Sequence, residues 1–107
     1  MRKLIDTYFK FFSSKDINSL KKMFSNEIIL KDWEINAVGI NQVVKANKKI
    51  FNSVNSIEIS IIEYFEFNKN CICLIEILIN KKETIKVIDV IRFDKSNKIK
   101  EVSAYKQ

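Results

Sequence analysis

In the second half of the chain the apolar residues recur with a period of two. The breaks between these alternating runs are too short for anything but hairpins. The runs fall at about 56–67, 71–79, 83–94 and 99–106, separated by Asn68-Lys69-Asn70, Asn80-Lys81-Lys82 and Lys95-Ser96-Asn97-Lys98. Alternation over such lengths reads as strand. A parallel return needs a crossover of about a dozen residues, so these gaps predict four antiparallel neighbours in a row.

Two of these strands are apolar on both faces. The second run puts Cys71, Cys73, Ile75, Ile77 and Ile79 on one side, and Ile72, Leu74 and Leu78 on the other, broken only by Glu76. The third puts Ile85, Val87, Ile91 and Phe93 on one side with Asp89, and Ile88 and Val90 on the other between Lys86 and Arg92. A sheet of this kind needs cover on both faces. The rest of the chain can cover one. A second copy packed on the outer face would cover the other, which predicts a homodimer.

The period is helical in the first third. Ile5, Tyr8, Phe9 and Phe12 share one face of a first helix, and Asp16 is placed to cap a second one that buries Ile17, Leu20, Met23 and Phe24. A short strand is expected over 27–33, with Ile28, Leu30 and Asp32 on one face. Gly39, the one glycine in a chain without proline, turns the backbone into a third helix over about 41–51. The order ααβαββββ is α+β, and 107 residues fit one domain.

The formal charge of +6 raises the question of nucleic acid, but 17 of the 19 basic residues are lysines and they are scattered in singles and pairs. Arg2 and Arg92 are the only arginines, so the usual bidentate reader of phosphates and guanine edges is nearly missing, which argues against nucleic acid. Cys71 and Cys73 lie too close for an unstrained bridge, and they read as buried thiols in a reducing compartment. No apolar stretch is long enough to cross a membrane. A cytoplasmic protein is expected. The chain contains no histidine, so Ser-His-Asp and Cys-His chemistry and His-containing metal sites are excluded. It also has no glycine-rich phosphate loop, and no cofactor is expected. Any acid–base chemistry must come from carboxylates, Tyr or Lys.

Among those, Asp89 is the sole acid in the stretch 85–93 and shares its strand face with four apolar side chains, while Glu76 is a further acid in an apolar strand face. Asp89 is either paired to a backbone or basic group, or it is a pocket group with a raised pKa. Asp32 at the end of the first strand and Tyr8 on the buried stripe of the first helix also have ordinary structural readings, as a strand-end polar residue and a hydrogen-bonded core tyrosine. Periodicity alone does not join them into a site.

Taken in order, Leu4-Ile5-Asp6-Thr7-Tyr8-Phe9, Lys15-Asp16-Ile17-Asn18, Met23-Phe24-Ser25-Asn26-Glu27, Lys31-Asp32, the Gly39 helix start, Ile88-Asp89-Val90-Ile91-Arg92-Phe93-Asp94 and Asn97-Lys98-Ile99 resemble the nuclear transport factor two-like (NTF2-like) superfamily, in its SnoaL-like and ketosteroid-isomerase-like branch. The resemblance covers residues 1–107 as one SnoaL-like domain. It implies a cone, with three N-terminal helices packed in a strongly curved, mainly antiparallel sheet, and a pocket for a small apolar or moderately polar molecule. It also implies a dimer through the sheet. Carried over by motif, Asp32 would be a general base taking a proton α to a carbonyl, with Tyr8 and a neutral Asp89 as hydrogen-bond donors to the enolate. Trp33, Asn47, Glu76 and Val102 become further pocket candidates. The implied activities are isomerase, cyclase (polyketide cyclase-like) or dehydratase. The alternative is a noncatalytic dimeric domain that binds a ligand.

Overall fold

The computed structural model describes residues 1–107. Two helices, α1 (Arg2–Ser13) and α2 (Ile17–Met23), lead directly into β1 (Phe24–Lys31) and β2 (Asn36–Val38). Helix α3 (Ile40–Ser53) follows, then a meander of β3 (Ile57–Phe67), β4 (Asn70–Ile79), β5 (Glu83–Phe93) and β6 (Ile99–Lys106). Helix α1 forms where the apolar spacing required it, burying Ile5, Tyr8 and Phe9. Asp16 caps α2 by accepting from the Ser19 N–H at 3.1 Å, and the Ser19 hydroxyl donates to its other oxygen at 2.7 Å. These bonds from Ser19 hold the Asp16 carboxyl below the usual carboxylate range.

The tight hairpins use left-handed residues at asparagine and lysine in place of glycine: Asn68-Lys69 between β3 and β4, and Asn80-Lys81 between β4 and β5, all with φ between 49° and 63°. Two such residues in sequence make the turn whose twist matches that of paired strands. Gly39 is where the backbone needs glycine most, at φ 88° and ψ 156°, a region closed to side chains. Its N–H donates to Ile28 O at 2.7 Å as the chain enters α3.

The six strands form one sheet in the order β2-β1-β6-β5-β4-β3. Four of the pairings are antiparallel, and β1 runs parallel to β6. The strongly curved cone implied by the resemblance is not formed. The sheet is mixed and open, because β2 and β3 are its two edges and do not pair with each other. A three-residue β2 offers little edge on which an eleven-residue β3 could close. The expected ααβαββββ order also lacked β2, whose three residues are too few to display a period.

Helices α1 and α3 pack toward the two ends of the sheet, α1 on β3 and α3 on β1 and β2, and α2 packs against both of these helices. Phe12 and Phe51 meet edge-to-face at 4.8 Å and tie α1 to α3. The central strands are thus spanned by helices more than they are filled by them. No helix is long and apolar enough to cross a membrane.

Candidate functional site

Under that span lies a cavity of about 310 Å³. Sixteen of its 21 lining residues are apolar, including Ile75, Ile77 and Ile79 along the inner face of β4. The polar remainder is Asp32, Glu34, Asn47, Ser53 and Asp89, with Tyr8 adding a phenol to the apolar set. Asp89, the one buried carboxyl of the chain, opens here, and no lysine or arginine lines the space.

Strand register places the two aspartates. Lys31 of β1 lies beside Ser103 of β6, so the next residue, Asp32, continues to the level of Ala104. Ala104 stands opposite Asp89 of β5, which in turn faces Cys73 of β4. Asp32 and Asp89 are therefore two strand spacings apart, roughly 10 Å between Cα atoms, with only an alanine methyl between them. Burial first, and then the charge of Asp32, together push the Asp89 carboxyl up to about 7. Its flanking groups, a methyl and a thiol, offer no compensating charge. Arg92 is turned to the opposite face, where it donates to Asn70 at 2.9 Å and pairs with Glu101 at 3.4 Å.

Asp32 is not on a strand, as the 27–33 expectation had it. It opens the turn between β1 and β2, and its Oδ1 accepts from the N–H groups of Glu34 at 2.7 Å and Ile35 at 2.6 Å. The Asp32 N–H donates to Ile35 O at 2.9 Å. One carboxylate oxygen is thus committed to the turn, and Oδ2 makes no bond within the protein.

Three further polar groups are buried without a protein partner: the Tyr8 hydroxyl, the Asn47 amide at 2% exposure and the Asp89 carboxyl at 8%. No fully enclosed polar atom lacks a hydrogen bond, so these groups keep their access through the cavity itself. Unpaired buried polar groups are costly, and a ligand is what would satisfy them. Burial, followed by the charges of Asp89 and Cys73, pushes the Tyr8 phenol well above its ordinary value, so it stays a donor. Cys73 is pushed up to about 12, mainly by burial, and is an unreactive thiol. Cys71 and Cys73 are both free.

Of the seven candidate residues, Tyr8, Asp32, Trp33, Asn47, Asp89 and Val102 line this cavity. Glu76 does not. It points to the outer face of β4, opposite Lys86 of β5 and Ser60 of β3. The alternation of β4 puts it there, since its neighbours Ile75 and Ile77 face inward. Trp33 leaves the cavity open: it is 45% exposed and sits at the rim, with Lys106 Nζ 5.7 Å above its ring.

Sequence reasoning missed Glu34 and Ser53. Glu34 belongs to the turn that the strand expectation overran, and the run of polar residues Asp32, Glu34 and Asn36 was its signal. Ser53 closes α3 and donates to Ile50 O at 2.6 Å, an ordinary helix-end bond that no motif marks.

No protein-family model matches the chain, and no curated protein matches it. Solved structures do. One is a protein from Shewanella denitrificans with a provisional assignment as a SnoaL-like polyketide cyclase. It has a TM-score of 0.88 at 12% identity, with 99% of this chain and 89% of that one covered. A second is a nuclear transport factor two-like protein of unknown function from Cytophaga hutchinsonii, with a TM-score of 0.82 at 14% identity and coverage of 99% and 88%. A third, from Catenulispora acidiphila, has a ketosteroid-isomerase-like fold and was solved with trimethylamine. Its TM-score is 0.84 at 10% identity, covering 94% and 82%. At such identities the likeness is one of fold, and that fold is the nuclear transport factor two-like one.

Proposed function

We propose that this nuclear transport factor two-like chain, read as one SnoaL-like domain over residues 1–107, is a small-molecule pocket protein that removes a proton α to a carbonyl, in an isomerisation, cyclisation or dehydration. The observation that carries this reading is the set of unpartnered donors, Tyr8 and Asp89, in the same apolar cavity as a carboxylate with one free oxygen. The turn N–H groups orient Asp32 and satisfy Oδ1, leaving Oδ2 to accept the α-proton. As the C–H bond breaks, its electron pair moves onto the carbonyl oxygen. The Tyr8 hydroxyl and the protonated Asp89 donate to that developing oxyanion. A carboxyl pushed up to about 7 keeps its proton in a share of the molecules at neutral pH, and in that form it can serve as a donor. Asp32 then returns the proton to carbon or to a leaving group, according to the substrate.

A direct test uses a cyclohexanone with a neopentyl group opposite the carbonyl, followed by NMR in deuterated buffer. The chain is expected to speed α-deuteration, and Asp32→Asn and Tyr8→Phe each to reduce it by about a hundredfold or more. Exchange no faster with the parent than with Asp32→Asn would overturn the reading. The alternative, a noncatalytic dimeric ligand-binding domain, has one observation in its favour: the turn already explains why Asp32 is an aspartate. It predicts retained affinity for the probe in Asp32→Asn, with no exchange by the parent.

The assembly we propose is a homodimer through the outer sheet face. There Phe65, Ile72, Leu74, Ile88, Val90 and Tyr105 form a contiguous apolar surface by register, with Ile72 41% and Phe65 56% exposed. A sedimentation mass of one chain at micromolar concentration would defeat it. The two free thiols fit the reducing cytoplasm as the compartment.

A further inference from the structure

We infer that the substrate of this pocket is a compact carbonyl compound bearing an ammonium group at the end remote from its carbonyl. The inference rests on the proton-abstraction reading for the orientation of the ligand, and adds what the mouth of the cavity selects. Across a chain with a formal charge of +6, the ionisable carboxyls of the cavity are Asp32, Glu34 and Asp89, with no base among its lining groups. An anionic ligand would therefore meet three carboxyls and no lining base, the deepest of them, Asp89, in a low-dielectric setting.

The groups are also graded with depth. Tyr8, Asn47 and Asp89 are each more than nine-tenths buried and lack protein partners, so the carbonyl end belongs among them. Trp33 and Glu34 are exposed and adjoin the opening. A ring face beside a carboxylate is a site for an alkylammonium ion. The structure already holds an ammonium there: Lys106 Nζ lies 5.7 Å from the centre of the Trp33 ring. Lys106 itself lines a shallower hollow next to the cavity, together with Lys31. It occupies the ring as a tethered stand-in that a substrate's ammonium group would displace. Glu34 lines the cavity from the same turn that fixes Asp32, so recognition at the mouth and positioning of the base share one segment of backbone.

The test compares three cyclohexanones substituted opposite the carbonyl by trimethylammoniomethyl, by its neutral isostere neopentyl, and by carboxymethyl. Binding is read by calorimetry and, in chains that keep Trp33, the only tryptophan, also from its fluorescence. The cationic probe is expected to bind about tenfold more tightly than the neutral one, and the carboxylate more weakly than both. The cation-to-neutral ratio should fall to near one in a Trp33→Leu, Glu34→Gln double variant and rise in Lys106→Gln. Equal affinities in the parent, or a preference that survives the double variant, would overturn the inference. If the neutral probe is deuterated in an Asp32-dependent manner but the cation has no advantage, the substrate class fails alone. If the cation is preferred and neither probe exchanges, the chemistry fails and the recognition stands.

Discussion

Glu76 and Asp89 are the acids set between apolar residues in the middle of β4 and β5, one on each face of the sheet, and the two fare differently. Glu76 lies on the outer face, directly across from Lys86, in a row with Ser60. Asp89 lies on the inner face between Cys73 and Ala104, neither of which can compensate its charge. A cross-strand base makes an acid part of the scaffold. A thiol and a methyl leave it poised, and its carboxyl titrates near 7 in place of its ordinary 3.8. The contrast separates an acid that serves the fold from one that the fold has to tolerate.

Four experiments would break or sharpen that contrast, in order of expected effect. Asp32→Asn should lower α-deuteration by about a hundredfold to a thousandfold, while Glu76→Gln leaves it unchanged. An equal loss from both would mean that the two faces do not differ in chemistry. Asp89→Asn comes next, and its sign is fixed by linkage. The folded chain binds the Asp89 proton near pH 7 and the unfolded chain near 3.8, so the folded state holds the extra proton in that interval. Its contribution to stability is full below about pH 4 and is lost as the pH rises to 7, a change of order 4 kcal/mol. Chemical denaturation should thus find Asp89→Asn more stable than the parent at pH 8 and little different at pH 4. Its exchange activity should also lose the alkaline decline near pH 7, since the amide remains a donor. A parent whose stability does not vary over that range would show that Asp89 is not strained.

On the outer face, Ile72→Lys should dissociate the proposed dimer, weakening self-association by about 2–4 kcal/mol, as read by sedimentation. An unchanged mass would separate the apolar patch from assembly. The smallest effect is at the turn beyond Ile79. Lys81→Gly relieves a left-handed lysine at φ 58° and should raise stability by up to about 1 kcal/mol in thermal melts.

How far the site could be read in advance follows from these same residues. Asp89 and the inward ladder of Ile75, Ile77 and Ile79 were visible, because alternation fixes the face of every residue in a long strand. The same rule sends Glu76 outward. Family likeness had moved it into the pocket against its own parity. Asp32 lies on a different element from the expected strand, since its side chain ends β1 by bonding to the N–H groups of Glu34 and Ile35, and a three-residue β2 leaves no period to detect. The open sheet was hidden for a different reason. Whether two edge strands meet depends on strand lengths and helix placement across the whole molecule, and a local pattern carries neither.

The position of β6 bears on how the chain reaches this structure. β1, β2 and α3 can associate through nearby residues, and so can β3, β4 and β5, but β6 lies between the two groups and pairs with both. Phe24 meets Ile99 across most of the sequence. Contacts of that range close slowly, because the loop entropy must be met before they can stabilise anything. Until β6 inserts, Asp32 and Asp89 belong to separate subassemblies. The pairing of β6 with both β1 and β5 is what joins the strand bearing Asp89 to the turn bearing Asp32, so the shared wall of the cavity depends on those long-range contacts.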